Sequence, residues 1–329
     1  MCLGCFYVGG KLKILPLLEQ SLANNEVVSN SDFRKLQMLG SHAYKVYTIP
    51  KRKAGKRVIA HPSVKLKKCQ SNLVSILELY LPVHDSSYAY VKGRSIKDNA
   101  LVHAKSDYLL KMDFYDFFNS ITPPLLSEHL DKVGLTVDLY ELAKLNQLLF
   151  WNPSKKKHGK LILSVGAPSS PFISNTMMYF FDEKISKLCA KNNINYSRYA
   201  DDLTFSSNKK GILFLLPDVV KKILKQEFKD KIVINDSKTI FSSKKHNRHV
   251  TGLTINNNGS ISLGRKRKKY ISSLVFEYLN NRLDEGEFYH LIGLLAFSYN
   301  VEPMFLHRLS RKYKVNVIDS ILKKGRLNE

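Results

Sequence analysis

Asp113, Asp201 and Asp202 are the side chains whose surroundings give them chemistry to do. Asp113 closes the apolar run DYLLKMD (107–113), and Asp201-Asp202 sit at the bend of the β-rich segment NYSRYADDLTFSS (195–207). Adjacent carboxylates at a bend, brought beside a third on a neighbouring strand, repel one another unless cations neutralise them. Mg²⁺ suits such a set, because it takes a few carboxylate oxygens and leaves positions for water and phosphate. Two such ions about 4 Å apart activate an attacking hydroxyl and stabilise the leaving oxygen of an in-line phosphoryl transfer. Taken alone, Asp201-Asp202 reads equally well as a polar β-turn, since Asp is a common turn residue.

The elements that must position these acids follow from periodicity. Residues 11–40 have helical spacing, with Leu12, Leu15, Leu18 and Leu22 about one turn apart. YKVYTIPKRKAGKRVIAH (44–61) alternates around AGK and predicts a basic β-hairpin. Residues 64–81 return to helix and stop at Pro82, and 107–114 predict a buried strand ending at Asp113. Helices are expected at 124–133 and 137–150. Another is expected over 170–191, capped by Ser169 or Ser170 with Pro171 in its first turn. A helix at 212–228, strands near 231–235 and 249–255, and a helical stretch from 265 onward complete the pattern. The fold class is α+β, with no internal repeat.

Charge names a class of partner. The 329 residues carry 52 Lys+Arg against 28 Asp+Glu, a net charge of +24, which points to a polyanion. The excess is uneven. Residues 71–150 carry 7 basic and 10 acidic side chains, whereas residues 151–260 carry 19 and 8. A hydrophobic content of 44% excludes a wholly disordered chain. No apolar run reaches the roughly 18 residues of a membrane span, and no membrane partner is expected. The first ten residues, MCLGCFYVGG, lack a basic segment followed by an apolar one, so a cytoplasmic location is expected. Cys2, Cys5, Cys69 and Cys189 are too few and scattered for a disulfide framework, and the Cys2/Cys5 pair lacks a second pair to complete a zinc site.

Several segments together resemble the reverse transcriptases. Tyr199-Ala200-Asp201-Asp202 is similar to their YxDD signature, and MDFYDFF (112–118) to their first carboxylate motif. GAPSSPFISN (166–175) resembles the glycine-proline motif that opens the palm helix. KRVIAHPSVKLKKCQ (56–70) resembles the fingers segment, and NDSKTIFS (235–242) the lysine motif located after the palm's last helix. The order agrees over about residues 45–275. Within that family, Asn99-Ala100-Leu101-Val102-His103 resembles the NAxxH element of retron enzymes, and Val250-Thr251-Gly252 their VTG triplet, which is linked to recognising a cognate non-coding RNA. The stretch beyond residue 275 suffices for a short helical thumb, with no maturase or nuclease extension expected.

The resemblance implies a right-hand polymerase with fingers, a ferredoxin-like palm and a short helical thumb. Its expected divisions are an N-terminal helical extension at 1–43, part of the fingers at 44–106, the palm at 107–263 and the thumb at 264–329. Asp113, Asp201 and Asp202 would hold two Mg²⁺ ions, with the Phe114 carbonyl as an extra ligand. Phe118, five residues after Asp113, matches an aromatic gate against the 2′-hydroxyl, while Phe117 is expected in the core. Arg57 and Lys238 match residues that grip the triphosphate of a dNTP, and Gly166 one that lets backbone approach the nascent pair. One departure stands out: the run is Leu163-Ser164-Val165-Gly166, so Val165 replaces the usual nucleotide-contacting glutamine.

RNA contact is expected from Asn99, His103, Val250, Thr251 and Gly252. The basic run Arg265-Lys266-Arg267-Lys268-Lys269, together with Lys244, Lys245 and Arg248, would track phosphates. The activity implied is copying part of a structured retron RNA into single-stranded DNA, primed by a guanosine 2′-hydroxyl of that RNA. An effector protein and a role in defence against phage are further implications of the family. The rival readings are an intron or abortive-infection reverse transcriptase, and an RNA-binding scaffold with a vestigial site.

Overall fold

Hairpins and amphipathic helices alternate along the chain in the computed structural model, which describes residues 7–8, 11–23, 27–51, 55–313 and 315–326. The Cys2/Cys5 pair lies outside these residues. In chain order come β1 (Tyr7–Val8), β2 (Lys11–Leu12), α1 (Ile14–Leu22), α2 (Asn30–Leu39), β3 (Tyr44–Pro50), β4 (Lys56–Pro62) and α3 (Val64–Leu77). Next are α4 (Ile96–Val102), β5 (Tyr108–Asp113), α5 (Phe117–Ser120), α6 (Pro123–Val133), α7 (Leu139–Leu149), α8 (Ser169–Met177) and α9 (Tyr179–Lys191). After them run β6 (Asn195–Tyr199), β7 (Asp202–Ser207), α10 (Leu216–Phe228), β8 (Ile240–Ser243), β9 (Arg248–Val250), β10 (Leu253–Ile255) and β11 (Ile261–Ser262). The helices α11 (Arg265–Leu279), α12 (Glu285–Val301), α13 (Pro303–Tyr313) and α14 (Val315–Arg326) close the chain.

Four strands form one sheet in the order β6-β7-β5-β8. With helices between β5 and β6 and between β7 and β8, this is the ferredoxin-like βαββαβ arrangement. It puts the last residue of β5 beside the turn that opens β7. The buried residues of β5 fall on both faces, as a central strand requires. The expected strand near 231–235 is a single bridge, Phe114 with Ile234, rather than a ladder.

The chain divides into two units. One comprises 1–92, 111–203 and 214–239, the other 93–110, 204–213 and 240–329. In the first, β3 and β4 pair from Tyr44↔Pro62 to Pro50↔Lys56, the basic hairpin that alternation predicts. α6 begins with two prolines and stops at Gly134 in the left-handed region, the usual asymmetry of helix ends. The helix expected over 170–191 is two helices, α8 and α9, broken at Met178. Pro168, not a serine, occupies the N-cap; Ser169 and Ser170 lie buried in the first turn without a hydrogen-bond partner for either hydroxyl. In the second unit α4, β9–β11 and α11–α14 share a core that includes Val250, Leu253, Ile271, Leu291, Leu295 and Ile321. Among the described residues, no helix is long and apolar enough to cross a membrane.

Candidate active site and nucleic-acid interface

The end of β5 is stitched on both sides. The Phe114 amide donates to the Asp201 carbonyl at 3.1 Å, and the Asn235 amide donates to the Asp113 carbonyl at 2.8 Å. Asp113 is thereby fixed beside the two-residue turn Ala200-Asp201 that joins β6 to β7. Ala200 holds φ +55°, a region L-residues seldom enter, and is 5% exposed. Lys238 closes a short 3₁₀ turn, and its Nζ lies 2.7 Å from Asp113 Oδ1. The structure therefore brings together Asp113, Asp201, Asp202 and Lys238.

The acids repel. Asp202 is pushed up to about 6 by burial, then by Asp201 and Asp113, with Lys111 and Lys238 opposing. Asp201 is raised by burial and by Asp113, against Lys238 and Arg57. Asp113 raises the proton affinity of Asp201, and both raise that of Asp202; a hard divalent cation would relieve that crowding, and carboxylate oxygens are its preferred donors. Among the described residues no three His, Cys, Asp or Glu side chains already close around a metal-sized point. The cluster is open, with the Lys238 ammonium against Asp113. Its donor set fits a divalent ion.

Around the acids lie groups suited to a nucleotide. Arg57 is exposed on β4 and acts electrostatically on Asp201. Lys67, Tyr90, Phe118, Val165 and Gly166 line a cavity of about 310 Å³. Phe118 is half-buried there, whereas Phe117 is buried and stacked on Phe114 with centroids 5.0 Å apart. Gly166 has a reason internal to the fold. Its φ is +118°, and a Cβ would lie 3.1 Å from Ile59 Cγ2 and 3.2 Å from the Ala60 carbonyl oxygen. Tyr90 gave no functional signal in the sequence. It is 59% exposed, yet partial desolvation and then the Asp201 and Tyr199 charges raise its phenol, which locates it near the acids.

In the second unit the two short retron-like motifs form one substructure. Thr251 (φ +47°) and Gly252 (φ +77°) are the two residues of the β9–β10 turn, both left-handed as a type I′ hairpin demands. VTG is therefore a hairpin corner rather than a plain strand. Thr251 Oγ1 donates to the Ile96 carbonyl at 3.0 Å, tying the corner to α4, the helix that carries Asn99. Asn99, His103 and Val250 are 1%, 0% and 0% exposed, which corrects the expectation that they touch RNA. They face the core because α4 packs its inner side on β9 and β10. His103 Nδ1 lies 2.8 Å from Ser206 Oγ, and burial pushes its pKa down to about 3, so it is neutral.

Arg248 is corrected too. It is 1% exposed, and its guanidinium donates to the carbonyls of Ser106 and Asn256. Lys244 pairs with Asp107 at 2.5 Å, and Lys268 with Glu302 at 2.7 Å. Arg265, Lys266 and Lys269 are exposed. With Gly252, the basic run lines a groove of about 1220 Å³. The first turn of α11 holds no acidic side chain. Cations there add to the positive end of the helix dipole, an arrangement suited to an anion.

Comparison with known proteins accords with this geometry. Residues 49–255 match the family model described as reverse transcriptase (RNA-dependent DNA polymerase). The chain is similar to the Retron Ec83 reverse transcriptase of Escherichia coli, with 50% identity over 280 residues, 85% of this chain and 90% of that one. It is also similar to the Retron Ec73 reverse transcriptase of Escherichia coli, 34% identical over 305 residues, 89% of this chain and 94% of the other. Among solved structures, telomerase from Candida albicans aligns with TM-score 0.48 and 14% identity, over 94% of this chain and 64% of that one. The fold assignment rests on the family match and on the strand order, not on that alignment.

Proposed function

The chain belongs to the reverse transcriptases, in their retron branch, and is an RNA-directed DNA polymerase of right-hand fold; on that premise we propose that it copies part of a structured non-coding RNA into single-stranded DNA, starting from a guanosine 2′-hydroxyl of the same RNA. The observation that carries this reading is the meeting of Asp113 with the Asp201-Asp202 turn. Reverse transcriptases use a divalent metal. Here the reading assigns two Mg²⁺ to Asp113, Asp201 and Asp202, with the Phe114 carbonyl as a further oxygen. When bound, the ions make the primer hydroxyl a better nucleophile and offset the charge of the departing pyrophosphate.

The remaining roles belong to the chain's own groups. Arg57 offers a planar fork to the triphosphate. Lys238 offers an ammonium to the same phosphates and holds a proton within reach of the leaving group. Phe118 fills the space a ribose 2′-hydroxyl would need, and Val165 meets the nucleotide with an apolar surface where relatives of the family have an amide. The corner at Thr251-Gly252, the exposed cations Arg265, Lys266 and Lys269 and the half-buried Arg267 hold the RNA, with Lys268 braced by Glu302. Asn99, His103 and Val250 set that corner from beneath. In this reading 44–106 contributes to the fingers, 107–263 is the palm and 264–329 the thumb. A partner effector and a role in defence against phage belong to the same proposal.

Sequencing the nucleic acid that co-purifies with the protein tests it. The expected product is DNA joined through a 2′,5′ branch to the RNA that templated it. DNA with an ordinary 3′-primed junction, or RNA alone, would overturn the priming assignment.

A further inference from the structure

A guanidinium lies wholly buried beneath the turn that carries Asp201, at a position with no functional signal in the sequence. Arg198, on β6, is 0% exposed. Its Nε reaches both Asp182 oxygens at 3.0 Å, and its Nη2 reaches Asp182 Oδ2 at 2.7 Å. Its Nη1 donates to Asn175 Oδ1 and to the Ala200 carbonyl, each at 3.1 Å. Asp182, on α9, also accepts from the Tyr196 hydroxyl at 2.7 Å. Asn175, on α8, donates in turn to the Ala89 carbonyl at 2.7 Å. Burial works against the Arg198 charge, and Asp182 more than offsets it, so the group stays cationic.

The turn above is two residues long, and both of its carbonyls are held. Arg198 holds that of Ala200, and the Phe114 amide, one residue beyond Asp113, holds that of Asp201. Ala200 is the residue in the left-handed region. A peptide in that conformation is kept there by its surroundings. Arg198 reaches the turn through the backbone, at the Ala200 carbonyl one residue before Asp201. A buried ion pair is also a poor way to stabilise a core, since well-packed apolar groups of similar volume often do as well or better. Apolar groups cannot donate to Ala200.

We propose that Arg198, oriented by Asp182 and Asn175, is a positioning residue for the polymerase reaction: by holding the Ala200 carbonyl it fixes the turn that aims the Asp201 and Asp202 carboxylates at the site shared with Asp113. The inference rests on the proposed role of those three acids in holding metal.

Two full-length variants test it. Arg198→Lys keeps a cation facing Asp182, but one ammonium cannot serve Asp182, Asn175 and Ala200 together. The triple substitution Asp182→Leu/Tyr196→Phe/Arg198→Met replaces the whole polar cluster with apolar groups, so that folding survives without the donor. Folding is tracked by circular dichroism and size exclusion, and kcat and KM for dNTP are measured per folded molecule. Mn²⁺ affinity is read separately by electron paramagnetic resonance. Misaimed carboxylates are expected to lower kcat by about 30-fold or more in whichever variant folds, with KM for dNTP within about threefold. Mn²⁺ binding is expected to weaken by about fivefold or more, a change that lower stability alone does not produce. A folded variant with kcat and Mn²⁺ affinity within about twofold of the parent would overturn the proposal, whatever its melting temperature. Asp201→Asn run alongside keeps the two readings apart. If it too retains synthesis, the reading of the acids has failed; if it alone loses synthesis, only the role of Arg198 has.

Discussion

Asp202→Asn is expected to stabilise the metal-free protein while ending synthesis, because the carboxylate it removes is held against its own preference. Burial and the two neighbouring aspartates push Asp202 from 3.8 to about 6. Between those values the folded chain keeps a proton that the unfolded chain releases, so stability falls as pH rises through that window, and the penalty is complete above it. A displacement of roughly two units corresponds to about 3 kcal/mol at pH 8, and to about half of that at pH 5. Asparagine carries no charge and escapes the penalty. In EDTA at pH 8 the variant is expected to melt roughly 6–12 °C above the parent, at about 2–4 °C per kcal/mol, with a smaller gap at pH 5. Mg²⁺ should raise the parent's melting temperature more than the variant's, since it relieves repulsion that the variant lacks. The assay is thermal unfolding by circular dichroism at both pH values, with and without Mg²⁺. A variant that melts at or below the parent at pH 8 in EDTA would refute the claim that these carboxylates strain one another.

Other parts of the site make separate predictions. Phe118→Ala should open the cavity it shares with Gly166, reducing discrimination against ribonucleotides by roughly 100-fold in kcat/KM ratios for dNTP and rNTP. Gly166→Ala should cost about 1–3 kcal/mol, read as a lower melting temperature, because φ +118° and the Ala60 carbonyl 3.2 Å from a new Cβ both oppose it. Changing Arg265, Lys266 and Lys269 to Gln should weaken RNA binding across sequences and flatten the plot of log K against log salt by roughly 0.7–0.9 for each phosphate that a side chain no longer neutralises.

Where residue type and local spacing govern structure, the sequence could be read directly. The 44–61 hairpin was legible from alternation around AGK, and the strand ending at Asp113 from an apolar run that stops at a carboxylate. The pairing of that strand with the YADD turn needed the strand order, which no local pattern encodes. Where faces matter, types misled. Asn99, His103 and Arg248 are polar, and polarity suggests surface, yet each is buried where the fold supplies packing or backbone partners. Arg198 was invisible for the same reason: a cation in a short strand reads as solvated, and only the approach of α9 with Asp182 turns it inward. The break at Met178 left no mark either, because neither proline nor glycine interrupts the helical spacing there.

On the proposed reading Asp113, Asp201 and Asp202 act together on a divalent ion to join nucleotides. Labelled dNTP incorporation on an RNA template, titrated with Mg²⁺ and run for Asp113→Asn, Asp201→Asn and Asp202→Asn alongside the parent, reaches it most directly. Each substitution is expected to lower the rate by about 1,000-fold or more while RNA binding is retained. Synthesis within about tenfold of the parent in any one of the three, at saturating metal, would contradict the account.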